Sequence, residues 1–279
     1  MVTLLFSCKK DEFIHIPDNT APPDTTIAQI TIENYVNRCY IGLLGRKADN
    51  TEFSLAVGQL STAKFTISSR QSFVDGITSK TDYSWNLFNL GKSKYLSGLD
   101  TADVNETIFL FDILLNDPGY QAIWPYLQTE RAKLVLFLDI PGDLIAGNLS
   151  VKDMQRRMIY NYAYDQINMG TQNFVVSLFQ HFLSRYPTAD ELSNSEKMVD
   201  GIPALVFLGQ GKSKDDFLDI FFSSTDYYEG QVREVFNRFL YREPEATEEQ
   251  SLSREYRNTS NFKNLLKTVL SSDEYAGIE

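Results

Sequence analysis

The stretch FVVSLFQHFLSRYPTADE, residues 174–191, decides the fold class of this chain. Up to Leu183 its apolar residues recur at the spacing of one face of an amphipathic helix. Pro187 then ends that helix, because proline cannot continue the helical hydrogen bonding. Thr188 and Glu191 have the spacing of a capping box, which begins a new helix. The stretch therefore predicts two helices joined by a tight corner.

The same corner occurs in two other places. Residues 35–52 read YVNRCYIGLLGRKADNTE, and residues 231–248 read QVREVFNRFLYREPEATE. Aligned without gaps, each copy has an arginine near the end of the first helix, an aromatic residue six positions before it and a glutamate six positions after it. The arginine and glutamate pairs are Arg46 with Glu52, Arg185 with Glu191, and Arg242 with Glu248. Such self-similarity predicts a repeat architecture.

Each copy closes on a similar tag. The tags are SKTDY at residues 79–83, SSTDY at 223–227 and SSDEY at 271–275. A serine or threonine before an acid can cap the next helix, so each tag predicts a helix start. The distance from arginine to tag varies among the copies, which indicates that insertions fall in loops between two constant ends.

The repeated arginine–glutamate pair has two interpretations. It could be a charge pair that binds a ligand. Alternatively, it is a structural clamp across the helix corner, in which the guanidinium also reaches carbonyl groups at the helix end. We favour the clamp, since a residue repeated in every unit usually serves the fold of the unit.

These features together resemble a known family. Each unit has an apolar helix ending in a motif such as LLGR or FLYR, then proline or alanine, an acidic turn with glutamate and a later tag such as SSxEY. This order of motifs resembles a widespread bacterial repeat domain of unknown function, found in secreted and surface proteins. That domain in turn resembles the phycobilisome linker domain, a small helical bundle that joins proteins together. The resemblance covers residues 33–83 and 172–279. It implies a helical bundle that works by binding, without implying light harvesting.

The segment between the first and second copies, residues 84–171, does not fit the repeat but is also predicted to be helical. Its expected parts are a capped helix at 103–116, a turn at 116–119, one or two helices at 119–139 broken near Pro125, a turn at 140–143, and a long helix at 150–168 capped by Ser150. The predicted fold is therefore all-α: a multi-helical array of three helix-turn-helix repeat units (31–83, 172–228 and 229–279) plus a helical insert (84–171).

Three tyrosines of the insert are candidate binding residues. Tyr160, Tyr162 and Tyr164 fall on different faces of the expected long helix, so at least one should lie near the surface. Exposed tyrosines can stack on sugars or anchor a protein partner. The alternative, which we favour, is that they pack between the insert and the repeats.

The N-terminal residues Leu5-Phe6-Ser7-Cys8 resemble a bacterial lipobox, with a small residue directly before the cysteine and an apolar one three before it. This interpretation makes residues 1–8 the remnant of a lipoprotein signal and Cys8 the lipidation site. The preceding stretch is shorter than a secretory signal and lacks a basic start, which indicates a misplaced start or a truncated chain. The alternative is a packed or disordered N-terminus.

The residues after Cys8 support export. Residues 9–26 are polar and contain three prolines, and we expect a flexible tether over 9–30. The start KKDE resembles that of exported gram-negative lipoproteins, in some of which such acids direct the protein to the outer face. The expected location is the outer membrane, on its cell-surface or periplasmic face, with membrane contact through the lipid anchor only.

Composition excludes several functions. The 279 residues include 26 Lys and Arg against 37 Asp and Glu, which gives a net charge of −11. Without a basic cluster such a chain repels nucleic acid, so no nucleic-acid partner is expected. Two cysteines and two separated histidines make neither a disulfide framework nor a His-based metal site, and we expect no metal and no cofactor. No apolar run is long enough to predict a transmembrane helix.

Catalytic motifs are also missing from the sequence, and no catalytic residue is predicted. There is no G-x-S-x-G, H-E-x-x-H, C-x-x-C or P-loop. The GQGKS segment at 209–213 lacks the first glycine of a phosphate loop, which favours a flexible turn. A carboxylate such as Asp190 or Glu191 could pair with His181, but we interpret this residue as a partly buried structural histidine rather than a catalytic base.

Three hypotheses for function remain. The first is a binding or scaffold module that contacts an envelope protein or a glycan. The second is a glycan-active hydrolase that uses carboxylates of the insert, and the third is a purely structural envelope component. An apolar, aromatic-rimmed patch on the insert would favour binding. A deep pocket with two facing carboxylates of raised pKa would favour the hydrolase.

Overall fold

A computed structural model describes residues 27–278 of the chain. Cys8, the signal remnant 1–8 and residues 9–26 of the expected tether lie outside the described residues. The first helix begins at Gln29, so the last two residues of the expected tether are helical.

The described residues form sixteen α-helices, one 3₁₀ helix and one β-hairpin. The first repeat unit and its exit helix comprise α1 (Gln29–Leu44), α2 (Asn50–Thr62), α3 (Ile67–Thr78) and α4 (Thr81–Tyr95). The insert continues with α5 (Thr101–Leu115), the 3₁₀ helix Pro118–Ile123, α6 (Trp124–Leu138), α7 (Ile140–Ala146), α8 (Val151–Ile159) and α9 (Tyr162–Ile167). The second unit has α10 (Thr171–Leu183), α11 (Ala189–Val199), β1 (Ala204–Val206), β2 (Gly209–Gly211) and α12 (Lys214–Ser223). The third has α13 (Thr225–Phe239), α14 (Ala246–Thr259), α15 (Phe262–Leu270) and α16 (Asp273–Ala276).

The predicted all-α fold class is confirmed, and the repeated apolar positions form its core. Equivalent residues of α1, α10 and α13 are buried: Val36, Tyr40, Val175, Phe179, Val232 and Phe236. Burying one apolar stripe per helix provides the main driving force for packing. No helix within residues 27–278 combines the length and apolarity that a membrane span needs.

The prediction of one helix over 150–168 is wrong, because the helix ends at Ile159 and a second one begins at Tyr162. Asn161 causes the break. Its Nδ2 donates to the carbonyl groups of Arg157 and Met158, at 2.8 and 3.0 Å, and so ends α8. Its Oδ1 accepts from the backbone N–H of Tyr164 at 3.1 Å and so caps α9. Ser150 caps α8 as expected, accepting from the N–H of Asp153 at 3.1 Å.

The turn expected at 140–143 is also wrong. These residues form the first turn of α7, with Pro141 at its start. Proline is favoured at that position, because the first N–H groups of a helix have no intrahelical acceptor. Pro125 likewise stands at the start of α6, which follows the 3₁₀ helix, so this part of the insert does change helix near Pro125.

The GQGKS segment is not a flexible turn. Its first three residues form β2, which pairs antiparallel with β1 so that Leu205 faces Gln210. Phe207 and Leu208 make the two-residue turn with φ of 46° and 65°, the geometry of a primed hairpin turn. Ser213 then caps α12 by accepting from the N–H of Asp216 at 3.0 Å.

Close contacts join the units. Gly230 of α13 lies against the backbone of α10, where a Cβ atom would come within 1.9 Å of the carbonyl oxygen of Phe182. The third unit also packs on the first. Arg70 of α3 is buried, donates to the carbonyl group of Ser271 at 2.9 Å and forms an ion pair with Asp273. Units that are distant in sequence are therefore held in one array.

Candidate binding surface

Each helix corner holds a bidentate ion pair. The guanidinium of Arg185 donates to both carboxylate oxygens of Glu191, at 2.8 and 2.7 Å. Arg46 with Glu52 and Arg242 with Glu248 have the same geometry, at 2.7 and 3.0 Å and at 2.8 and 2.9 Å. A planar guanidinium matches a carboxylate in this way, which fixes geometry as well as charge.

Backbone groups at the corner take part in the same network. The three glutamates each accept from the N–H of the residue that caps their helix: Asp49, Thr188 and Glu245, at 3.1, 2.8 and 2.8 Å. The three arginines each donate to the carbonyl oxygen of the next residue, at 3.0, 3.2 and 3.0 Å. The clamp therefore ties the end of one helix to the start of the following helix.

A third member of each clamp was missed by the sequence reasoning. It is the acid in the fourth position of the tag: Asp82, Asp226 or Glu274. Arg185 donates to Asp226 at 2.8 Å, Arg46 to Asp82 at 2.7 Å, and Arg242 to Glu274 at 2.6 and 2.7 Å. The sequence contained a signal for this contact, since all three tags have an acid at the same position, close to the residues expected to cap the next helix.

The tag serines do cap their helices in two units. Ser224 and Ser272 accept from the backbone N–H groups of Tyr227 and Tyr275, at 3.2 and 3.1 Å. In the first unit Lys80 occupies this position, and no side chain caps α4. The ammonium group of Lys80 instead donates to Glu52 at 3.0 Å, so this lysine joins the clamp.

The network sets the ionisation of its members. Hydrogen bonding from Arg46 lowers the pKa of Glu52 to about 2. Arginine donors likewise lower the pKa of Glu191, Glu248 and Glu274. Because each guanidinium already binds two carboxylates and a carbonyl group, the arrangement favours the structural role of the clamp over a ligand-binding one.

The three tyrosines of the insert are packed. Tyr164 is fully buried, and its hydroxyl lies 3.2 Å from Nδ1 of His181. Tyr162 is half-buried with its ring edge-on to Phe111 at 5.2 Å. Tyr160 is half-buried under the ammonium group of Lys133, which lies 3.7 Å from the ring centroid. Tyr164 thus packs between the insert and the second unit, whereas these contacts of Tyr160 and Tyr162 lie within the insert.

His181 has different neighbours from those we expected. Its Nδ1 faces the hydroxyl of Tyr164, and its ring lies 5.4 Å from that of Tyr95. The predicted partners Asp190 and Glu191 lie on α11, and Glu191 is engaged by Arg185. Burial, followed by repulsion from Lys94, lowers the pKa of His181 to about 4, so the imidazole is neutral at pH 7.

The insert carries the aromatic and apolar surface that would favour binding. Seven large side chains of α5, the 3₁₀ helix and α6 are exposed, one of them Leu136 near the end of α6. The other six lie between positions 109 and 126, and we call them the insert tip: Phe109, Leu110, Ile113, Tyr120, Ile123 and Tyr126. Phe109 is 67% exposed and Tyr126 is 54% exposed. Exposed apolar residues scattered singly are normal, whereas several on one element mark interaction sites.

Helical geometry groups the residues of the insert tip. Ile113 follows Phe109 by four positions and Leu110 by three on α5, so its side chain is a neighbour of both on the helix surface. Tyr120 and Ile123 are three apart in the 3₁₀ helix, where residues at this spacing lie above each other. An ion pair at 2.5 Å between Asp112 and Arg131 ties α5 to α6 beside this surface.

The segment of the chain around the insert tip is acidic. Residues 95–138 carry six acids and two bases. The two bases pair with acids of the same segment, Arg131 with Asp112 at 2.5 Å and Lys133 with Glu130 at 2.7 Å. The other four acids are Asp100, Asp103, Glu106 and Asp117. The segment of the chain that carries the insert tip therefore has a net negative charge.

Two further acids of the insert, Asp143 and Asp165, are engaged by bases rather than free for hydrolytic chemistry. Asp143 binds Arg157 at 2.6 Å, and Asp165 binds Lys214 at 2.5 Å. Among residues 27–278 the carboxyl group whose pKa is raised is that of Glu229, which lies on α13, outside the insert. Burial is the main cause, followed by the charge of Glu249. Residues 27–278 contain no group of three or more His, Cys, Asp or Glu arranged to hold a metal ion.

Comparison with known proteins found no family model, no curated protein and no solved structure that matches this chain.

Proposed function

We propose that this protein is a non-catalytic cell-envelope lipoprotein that works as a binding or scaffold module, and that the insert tip is its docking surface for another envelope protein. The observation that carries the proposal is the exposure of six large apolar side chains on one helical hairpin of the insert. Aromatic anchors such as Phe109 and Tyr126 are typical of interface centres.

The charge of the insert tip selects the kind of partner. The segment that carries the insert tip holds four acids without a base of their own, so a partner with an apolar patch and basic residues beside it is the better match. The same acids disfavour docking on anionic lipid head groups. A glycan would need polar side chains beside the aromatic rings, whereas Phe109, Leu110 and Ile113 offer only apolar contact.

The rest of the fold supports such a role. The clamps at three corners and the contacts of the buried Arg70 hold the repeats in fixed positions, so the insert tip is attached to a rigid part of the fold. Preorganisation of this kind lowers the entropy lost on association. The expected anchor at Cys8 would keep the surface close to the membrane.

The docking surface can be tested by site-specific photo-crosslinking in cells of the native host. A photoreactive residue at Phe109 should capture one protein, and the same residue at Tyr241, an exposed residue on the corner of the third unit, serves as the control. The captured protein, once purified, should bind the wild type. Phe109→Ser with Ile113→Ser should weaken that binding by about tenfold or more. Equal capture at both positions would refute the proposal.

The anchor requires a separate test. Labelled palmitate should be incorporated by the full-length protein and not by Cys8→Ala. Equal incorporation by both would refute the lipoprotein proposal while leaving the docking proposal intact.

A further inference from the structure

A cavity of about 260 Å³ lies where the insert meets the first and third units. It is lined by residues of α1, α4, α8, α13 and α15. Its volume is just below the roughly 300–1,000 Å³ typical of pockets for drug-sized ligands. The cavity is distant in sequence from the insert tip and independent of the docking proposal.

The walls of the cavity are largely apolar. They include Leu43, Leu87, Met154, Val235, Phe262 and Leu266. Such walls favour a ligand with a hydrocarbon or aromatic body, because burial of apolar area is the main source of affinity in small-molecule sites.

A polar amide is held in the wall by a chain of hydrogen bonds. The hydroxyl of Tyr227 donates to Oε1 of Gln155 at 2.6 Å, and Nε2 of Gln155 donates to Oε1 of Gln231 at 2.8 Å. Gln231 is 1% exposed, and its Nε2 has no hydrogen-bond partner among residues 27–278. Because Oε1 of Gln231 already accepts from Gln155, the N–H donors of Gln231 remain available for a ligand.

Tyr83 of α4 is, within residues 27–278, a second buried hydrogen-bond donor without a partner. It is 2% exposed, it lines the cavity, and its hydroxyl has no partner within the described part of the chain. An unpaired buried hydroxyl or amide costs free energy, roughly 1–3 kcal/mol each. Two such groups lining one cavity indicate that something which accepts hydrogen bonds belongs there.

Two cations stand at the mouth of the cavity. Lys94 is exposed and pairs with Glu234 at 2.7 Å. Arg238 is exposed and donates to the carbonyl oxygen of Gly42 at 2.6 Å. With two cations and one carboxylate, the mouth is net positive on a chain whose net charge is −11.

We propose that this cavity binds a small carboxylate with an apolar body, such as a short fatty acid or an aromatic acid. The apolar part lies against the walls formed by α8, α13 and α15. The carboxylate accepts hydrogen bonds from the donors of Gln231 and Tyr83, with Arg238 and Lys94 supplying positive charge at the mouth. Such a ligand matches the walls, the unpaired donors and the charge at once.

Octanoate is the test probe, with octanol and octylamine as controls of the same chain length. Octanoate should bind the full chain at millimolar or lower concentration by calorimetry, and both controls should bind at least about fivefold more weakly. With methyl-labelled methionine, the NMR signal of Met154 in the wall should shift, and that of the exposed Met169 should not.

Variants localise the binding. Arg238→Gln should weaken octanoate about fivefold, the size of a half-exposed charge contact, whereas Arg254→Gln on the exposed face of α14 should leave it within twofold. Val235→Phe should fill the cavity and abolish binding. If Val235→Phe fails to fold by circular dichroism, the Met154 shift and Arg238→Gln still decide the matter.

Two results would overturn the proposal. Absence of a Met154 shift at millimolar octanoate would mean that the cavity holds water, which also satisfies buried polar groups. Equal binding of octanol and octanoate would mean that the site does not recognise a carboxylate.

Discussion

Arg185 and Asp226 are 41 residues apart in the chain and meet in an ion pair of 2.8 Å. Arg185 directly follows the C-cap residue of α10, the first helix of the second unit. Asp226 lies in the first turn of α13, the first helix of the third unit. The same guanidinium holds Glu191 across the corner. One arginine therefore closes its unit at both ends, and the chain between can vary in length.

Loss of this arginine should destabilise the protein. We expect Arg185→Gln to lower the free energy of unfolding by about 1–2 kcal/mol, because it breaks a bidentate pair and a second ion pair, all partly exposed. Arg185→Lys should recover less than half of the loss, since an ammonium group cannot bind bidentately. Urea unfolding at neutral pH measures both.

The matched control for that series is Arg254→Gln, which removes an exposed arginine from α14. It should change the free energy of unfolding by no more than about 0.5 kcal/mol. A similar loss for Arg185 and Arg254 would show that the clamp contributes nothing beyond its charge.

Acid should weaken the clamps. The pKa of Glu52 is about 2 in the folded state, and the pKa values of Glu191, Glu248 and Glu274 are also lowered. A lowered carboxyl pKa contributes stability that is complete above the unfolded value of about 4.3 and is lost as pH falls below it. Urea unfolding between about pH 5 and pH 2 should therefore show declining stability, with a shallower decline in Glu52→Gln.

His181 should add a second decline at higher pH. Its folded-state pKa of about 4 lies below the unfolded value of about 6.5, so the unfolded chain takes up the proton first. Stability should fall as pH drops from about 6.5 towards 4, and His181→Gln should remove this part of the slope. An imidazole NMR titration with a midpoint near 6.5 in the folded protein would contradict the assignment.

Two glycine-to-alanine changes should have opposite effects. At Gly230 a methyl group would collide with the backbone of α10, 1.9 Å from the carbonyl oxygen of Phe182. Gly230→Ala should therefore destabilise by about 3 kcal/mol. Gly58 lies in α2 with no atom within 4 Å of an added Cβ, so Gly58→Ala should stabilise by about 0.5–1 kcal/mol through helix propensity. Thermal unfolding would compare them, and a stable Gly230→Ala would show that α10 and α13 can separate freely.

Local signals predicted the helices well where the cause of the structure is local. The corner at Thr188 and Glu191 forms the capping box that its spacing predicts. The break of the helix at Tyr160 was not predicted, because the residues on either side of Asn161 follow a helical pattern. The break comes from hydrogen bonds between the side chain of Asn161 and the backbone. The hairpin at β1 and β2 was missed because its turn uses Phe207 and Leu208 rather than the usual glycine and asparagine.

Residue spacing alone predicts the helical class, the three corners and the pairing of Arg46, Arg185 and Arg242 with their glutamates, because periodicity, caps and contacts six residues apart act within one or two turns. Packing between distant helices brings the tag acids to the arginines, leaves the insert tip exposed and forms the cavity lined by Gln231 and Tyr83. These features depend on which distant surfaces meet. That choice is made by the packing of whole helices, and residue spacing along the chain does not encode it.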